Sequence, residues 1–147
     1  MIVYEEFETK TGGRLDAVDV TAEVEELVRS SGVTSGSVLV FSPHTTCCVL
    51  VANGSGQMLE ALERSMEALA PEDGYYEHDD FSIRTENLMD DEPENAPAHL
   101  VNVFAGKTSE VIPVVDSRPA LGTNQHVLFV ELCSSRLRRY CIQVLGV

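Results

Sequence analysis

The run Phe41 to Asn53, FSPHTTCCVLVAN, decides how the chain is read, because chemically useful side chains are written into an otherwise apolar β-rich stretch. Apart from Pro43 it divides into two β-rich pieces, residues 38–42 and 45–52. Side chains on a strand alternate between faces. His44, Thr46 and Cys48 are therefore expected on one face, and Thr45, Cys47 and Val49 on the other. An imidazole beside two hydroxyls at the mouth of an apolar strand is a place where polar groups can converge on a ligand. The same residues also suit a plain strand with a half-exposed histidine, since threonine is a good strand former.

Upstream, residues 2–9 alternate loosely, and Thr11-Gly12-Gly13 supplies a turn into 14–20, which predicts a hairpin. Val24, Leu27 and Val28 interleave with Glu23, Glu25 and Glu26, predicting an amphipathic helix from Thr21, as N-cap, to Gly32. Downstream, Asn53-Gly54-Ser55-Gly56 leads into a second helix. Its apolar positions are Met58, Leu59, Leu62, Met66 and Leu69, and Pro71 stops it.

Residues 72–94 carry ten acids against one base, Arg84. Such a run suits a solvated loop, yet long connections are also where sites are built. Asn95 then reads as an N-cap for a short helix over 98–105, closed by Gly106. Strands follow at 108–115, 125–132 and 138–145, the last two joined as a hairpin through Ser134-Ser135. Strands linked by short turns with two to three helices predict one α+β domain over 1–147, mostly antiparallel.

The 147 residues and 44% apolar composition suit one domain with a substantial core. A net charge of −14 argues against nucleic acid and against an anionic membrane surface as partners. No apolar run is long enough to span a bilayer and the N-terminus does not read as a signal peptide, so a cytoplasmic location is expected. The four cysteines form no metal-binding spacing and are expected as reduced, mostly buried thiols.

His44, His78 and His99 fall on different elements: a strand mouth, the acidic loop and a helix start. Three neutral imidazoles with an open position make a catalytic divalent-metal pattern, zinc or magnesium, with Asp79 or Asp80 as ligand or orienting group. The competing use is phosphate binding, with Arg84, Arg118 or the helix-start amides sharing the charge. His126 reads as structural. Gln125 and Glu131 share strand parity but lie roughly 20 Å apart. Glu131, among Phe129, Val130 and Leu132, needs a partner if buried, from Arg136, Arg138 or Arg139.

The runs HTT at 44–46, YYEHDDFSIRTEN at 75–87, NAPAHL at 95–100, IPVVDSRPALGTNQ at 112–125 and VELCSSRLRRYCIQVLG at 130–146 resemble the YjbQ-like family, also called the secondary thiamine-phosphate synthase family. The resemblance covers nearly the whole chain. It implies a curved, mixed or antiparallel sheet, a homotrimer with polar residues near subunit boundaries, and weak joining of a pyrimidine diphosphate to a thiazole phosphate. It places recurrent polar positions at His44, Thr45, Thr46, Asn53, His78, Asn95, His99, Thr123, Gln125 and Glu131. Gly54, Pro97 and Asn124 depart from the family pattern.

Together these give an expected set: His44, Thr46, His78 and His99 for catalysis, the three histidines doubling as metal ligands. Thr45, Asn53, Arg84, Asn95, Arg118, Thr123 and Gln125 would hold a small phosphorylated metabolite. A non-catalytic trimer binding a small anion or metal through the same residues is the alternative.

Overall fold

The computed structural model describes residues 1–104 and 106–147. Eight strands and three α-helices follow one another as β1 (Ile2–Lys10), β2 (Ala17–Asp19), α1 (Thr21–Ser31), β3 (Ser35–Phe41), β4 (Cys47–Asn53), α2 (Gly56–Leu69), α3 (Ala96–Phe104), β5 (Ser109–Val115), β6 (Arg118–Pro119), β7 (Gln125–Glu131) and β8 (Leu137–Gly146). All pairings are antiparallel: β1-β8-β3-β5-β6 form one sheet and β2-β7-β4 another. The α+β expectation holds, with the curled antiparallel architecture. The expected end of α3 at Ala105 lies outside the described residues. No helix among the described residues is long and apolar enough to cross a membrane.

Both sheets turn apolar faces to one core. Val38, Val40, Ile112, Val114, Tyr140, Ile142 and Val144 of the larger sheet cluster with Cys47, Val49, Val127 and Phe129 of the smaller, and Val24, Leu27 and Val28 of α1 join them. Alternation sends Cys48, Leu128, Val130 and Leu132 the opposite way, where Met66 of α2 and Ala98 and Val101 of α3 cover them. The three-stranded sheet is thus covered on both faces, which is why β7 is buried without interruption from Val127 to Glu131. Cys47 and Cys48 face opposite ways as expected, and burial pushes both thiols up to about 12, leaving them unreactive.

Two expected hairpins are not formed. β1 pairs with β8 and β2 with β7, so Thr11–Asp16 carries the chain from one sheet to the other. The Ser134-Ser135 bend likewise passes from β7 in the smaller sheet to β8 in the larger. Short turns were read as pairing signals, but here they mark sheet changes. Thr21 is also not the cap of α1: the Asp19 carboxylate accepts the Thr21 N–H at 3.0 Å and does that job. Gly32, at φ 74°, ends α1 in the left-handed conformation that a glycine C-cap favours. In α2, Met66 is buried, whereas Met58 and Leu69 at the ends of the apolar stripe are half exposed.

The pin between the sheets is an ion pair. Glu131 ends β7 with 0% exposure, and Arg138 on β8 meets it in a two-pronged contact, Nε to Oε2 and Nη2 to Oε1, each 2.6 Å. The Thr11 hydroxyl donates to Glu131 Oε2 at 2.9 Å and the Cys133 N–H to Oε1 at 3.0 Å. Burial alone would raise the Glu131 pKa, but these donors hold it below the usual glutamate value. The expected arginine partner is therefore Arg138.

The outward face of the five-stranded sheet has no second layer among the described residues. Across it run Ile2, Leu145, Ser37 and Pro113 in one rank and Tyr4, Gln143, Leu39 and Val111 in the next, with Ile2, Tyr4, Val111 and Leu145 at least half exposed.

Two stability outcomes are expected. Glu131→Ala leaves the Arg138 charge buried and unpaired, so urea unfolding at pH 7 should show a loss of about 3–5 kcal/mol, whereas Glu26→Ala, which removes an exposed partner of Arg29, should cost under about 1 kcal/mol. Because the folded Glu131 pKa is depressed, its contribution is complete above the ordinary glutamate range and is lost as pH falls through the folded value. The gap between wild type and Glu131→Ala should accordingly shrink as pH falls below the ordinary glutamate range. Phe129→Ala, at a fully buried ring 5.5 Å from Tyr140, should cost about 3–5 kcal/mol in the same assay.

Candidate functional site

The HTT run does not lie on a strand. Residues 42–46 are the connection between β3 and β4, so strand alternation does not govern His44, Thr45 and Thr46. Pro43, without an N–H, sits in this break. Thr46 is nonetheless buried at 6% exposure, its hydroxyl accepting from Arg138 Nη2 at 3.2 Å and its carbonyl from the Leu132 N–H at 3.0 Å. Thr45 is exposed and uses its carbonyl, not its hydroxyl, to accept from Asn102 Nδ2 of α3 at 2.9 Å.

His44 Nε2 accepts the Arg139 N–H at 3.1 Å. A neutral imidazole has one donor and one acceptor nitrogen, so Nδ1 carries the proton. Burial, then the nearby Arg138 charge, lowers the His44 pKa below its ordinary value and keeps the ring neutral. Arg139 belongs to the outward-facing parity of β8, opposite Glu8 of β1. His44 therefore stands past the end of β3, against the backbone of β8.

The other two histidines do meet. The rings of His78 and His99 lie 4.8 Å apart, tilted by 50°. His78 sits in a single 3-10 turn, Glu77–Asp79, within the acidic segment, and His99 in the first turns of α3. Asp79 ties them together: Oδ1 contacts His78 Nδ1 at 2.9 Å, and its oxygens accept the Asn95 and Ala96 N–H groups at 2.9–3.1 Å. A carboxylate thus caps α3, where the helix dipole favours it. Asn95 was expected to do this; instead its Oδ1 is buried with no hydrogen-bond partner.

The Arg84 guanidinium lies 3.5 Å from the same His78 nitrogen but only 3.1 Å from the His78 carbonyl. The shorter Asp79 contact makes Nδ1 the donor. Neither ring nitrogen of His99 makes a hydrogen bond among the described residues. Burial first, then His78 and Arg84, lowers the His99 pKa. Arg84 is not a free clamp. It pairs with Glu92 at 2.8 Å and donates to the Asn87 carbonyl at 2.9 Å, folding the acidic loop back on itself.

The remaining expected residues lie elsewhere. Asn53 Oδ1 accepts the Ser55 N–H at 2.9 Å and starts α2; Gln125 Oε1 accepts the Gly122 N–H at 2.8 Å. These two face each other across β4 and β7, at the opposite end of the ladder from the Cys47–Glu131 pair. Thr123 is exposed, and Arg118 is exposed on β6 at the sheet edge. His126 is structural as expected, bonding Asp19 at 2.6 Å. Gly54 has a local cause: a Cβ there would come within 2.9 Å of the His126 ring.

Hence one chain brings together His78, His99, Asp79, Asn95 and Arg84, and separately His44, Thr46, Glu131 and Arg138. Among the described residues no group of three or more His, Cys, Asp or Glu side chains is arranged to hold a metal. Sequence reasoning missed Thr11, which has no local signal, and the capping role of Asp79. Beside the histidine pair lies a cleft of about 640 Å³, lined by residues including Tyr75, Tyr76, Asp79, Asp80, Phe81, Glu94 and Asn95.

A family profile described as "UPF0047 protein YjbQ-like" matches residues 5–147. A UPF0047 protein of Archaeoglobus fulgidus is 36% identical over 140 residues, covering 95% of this chain and 99% of the relative. The UPF0047 protein YugU of Bacillus subtilis is 30% identical, covering 93% and 95%. Among solved structures, a YbjQ-like protein of unknown function from Sulfolobus solfataricus superposes with TM-score 0.86 at 26% identity, over 100% of this chain and 99% of that one. A hypothetical protein from Aeropyrum pernix gives TM-score 0.83 at 35% identity, over 99% of both chains. With a profile matching nearly the whole length and relatives at this level of identity, the chain belongs to the YjbQ/UPF0047 family.

Proposed function

We propose that the chain is a metal-assisted enzyme acting on a small phosphorylated metabolite, with His78 and His99 as the protein ligands of a divalent ion. The carrying observation is the imidazole pair itself: adjacent rings 4.8 Å apart, with Asp79 on Nδ1 of His78. A carboxylate on the outer nitrogen of a ligating histidine fixes the tautomer and raises the basicity of the other nitrogen. The donor set of two imidazoles suits zinc better than magnesium, which prefers oxygen. The remaining positions fall to water, substrate or a neighbouring subunit. Once bound, such an ion neutralises developing charge on a phosphoryl or pyrophosphoryl oxygen.

His44 takes a different part in this reading. Its Nε2 is occupied by the Arg139 N–H, so it offers an Nδ1–H donor to a phosphate oxygen rather than a lone pair to a metal. The pin of Glu131, Arg138 and Thr46 holds the loop that carries it. The activity to assay first is the joining of a pyrimidine diphosphate to a thiazole phosphate, where the protein's task is to orient and neutralise a pyrophosphate leaving group.

A homotrimer belongs to the same proposal. The uncovered face of the five-stranded sheet is apolar at Ile2, Leu39, Val111 and Leu145, and His44 lies past the end of β3 in the same sheet. Packing of copies through this face would bury those side chains and carry His44 toward a neighbouring subunit. Light scattering should give a trimer mass, and Val111→Glu should shift it toward monomer.

Protein purified without chelator should carry about one divalent ion per chain by elemental analysis, and His78→Ala or His99→Ala should lose it. His44→Ala should keep the ion yet lose activity and rescue of a thiamine auxotroph. Retained rescue by a His78→Ala/His99→Ala double variant would overturn the reading. Since the His99 pKa lies below its ordinary value, protonation of that ring should compete with the ion only as pH drops through that depressed value.

A further inference from the structure

We propose that residues 81–92 form a strap that opens and closes as a unit beside the His78–His99 pair, with the Arg84–Glu92 ion pair as its bolt. The strap has little else to hold it. Among the described residues, every hydrogen bond that it makes ends within 78–92. None of its side chains belongs to either hydrophobic cluster of the core, and Phe81, Ile83, Leu88 and Met89, which could have packed it down, are all exposed. A segment with so few buried apolar contacts opens at far lower cost than the whole chain unfolds. Repulsion among Glu86, Asp90, Asp91 and Glu92 favours the open form, and Arg84 is the one base in the strap to oppose it.

Arg84 is built into the strap as its fastening. Its side chain is 16% exposed and that of Glu92 13%, in a segment whose other side chains mostly face solvent. The guanidinium donates to the carbonyls of His78 at 3.1 Å, Glu86 at 3.3 Å and Asn87 at 2.9 Å, and meets the Glu92 carboxylate at 2.8 Å. It thereby ties the arm before it, a turn based on Asp80, to the arm after it, where Glu92 Oε2 accepts the Met89 N–H at 3.3 Å. Asn87 stands between the arms at φ 54°, a left-handed conformation that asparagine tolerates.

The bolt lies against the imidazoles. Arg84 Nη1 is 3.5 Å from His78 Nδ1, and the His78 ring is 4.8 Å from that of His99. Withdrawal of the guanidinium therefore uncovers His78 first. Asp79 stays behind, because the Asn95 and Ala96 N–H groups at the start of α3 hold its carboxylate; it marks one end of the moving piece and residues 93–95 the other. Closed, the strap shields the ring pair, and open, it admits a ligand. The proposal concerns access to the two rings whatever they bind, so it stands apart from the metal reading.

The strap carries one trypsin site, the Arg84–Thr85 bond. Its guanidinium is engaged in the closed form, so cleavage there reports the open population. The full chain, dialysed against chelator so that no ion shields the rings, is digested and mapped by mass spectrometry. Glu92→Gln should be cut at Arg84 about two- to fivefold faster than wild type, with the urea midpoint and cleavage at other basic residues unchanged. Glu94→Gln, which removes an exposed neighbouring charge that Arg84 does not touch, should be cut no faster than wild type. Diethyl pyrocarbonate, which acylates accessible imidazoles, should modify His78 and His99 faster in Glu92→Gln by a similar factor, while His126 serves as the unchanged reference. An Arg84 cleavage rate that Glu92→Gln does not raise, or that Glu94→Gln raises equally, would show that the ion pair is not the bolt. A rise shared by every basic site would mean that the chain unfolds globally and that no separate strap exists. Faster cleavage without faster acylation of His78 and His99 would remove the gate.

Discussion

The two sheets, and the loop that carries His44, are held to one another by the Glu131–Arg138 pair. β7 and β8 lie in different sheets, and the bend between them could leave those sheets at many relative angles. A fully buried carboxylate admits few, because any arrangement that does not bring Arg138 onto both oxygens strands a charge in the core. The pair also recruits what lies beside it. Thr11 fastens the crossing from β1 to β2, and Thr46 fastens the loop that carries His44. A hydrophobic contact of similar size would tolerate sliding; a two-pronged ion pair with additional donors does not.

Asp79 does for the acidic segment what Glu131 does for the sheets. The segment carries too much like charge to collapse on its own, so its conformation depends on a few cationic and dipolar anchors. Arg84 folds it inward through Glu92 and three carbonyls. The amino end of α3 takes Asp79 as its cap, and that contact sets His78 against His99. One carboxylate thus joins a loop of high negative charge to a helix whose dipole welcomes it, and the imidazole pair results.

The sequence was most legible where the chemistry was local. Alternation put Cys47 and Cys48 on opposite faces, and the cost of an unpaired buried charge pointed from Glu131 to a nearby arginine. It misled at 11–16 and 132–136, where short turns looked like hairpins. A turn specifies a reversal of direction but not which sheet the next strand joins, and that choice is settled by core contacts distant in sequence. The HTT run misled similarly, since threonine's strand preference says nothing of the break that Pro43 imposes. Asn95 had the right residue type and position for a cap and was displaced by Asp79, sixteen residues upstream. Nothing local distinguishes Asp79 from the nine other acids of its segment.

The charge of the molecule also bears on what its histidines can do. In a chain with net charge −14, imidazoles would ordinarily be drawn toward the protonated state. At His99 the reverse holds: burial and the neighbouring His78 and Arg84 outweigh the carboxylates, and the ring is kept neutral. The carboxylates nearest the pair are engaged, Asp79 by helix amides and Glu92 by Arg84, so their field is partly spent where they sit. Glu94, on the cleft side, is not engaged in this way. The acidic segment therefore presents two environments a few residues apart, one in which carboxylates are held by helix amides and a guanidinium and one in which Glu94 stands exposed beside aromatic rings.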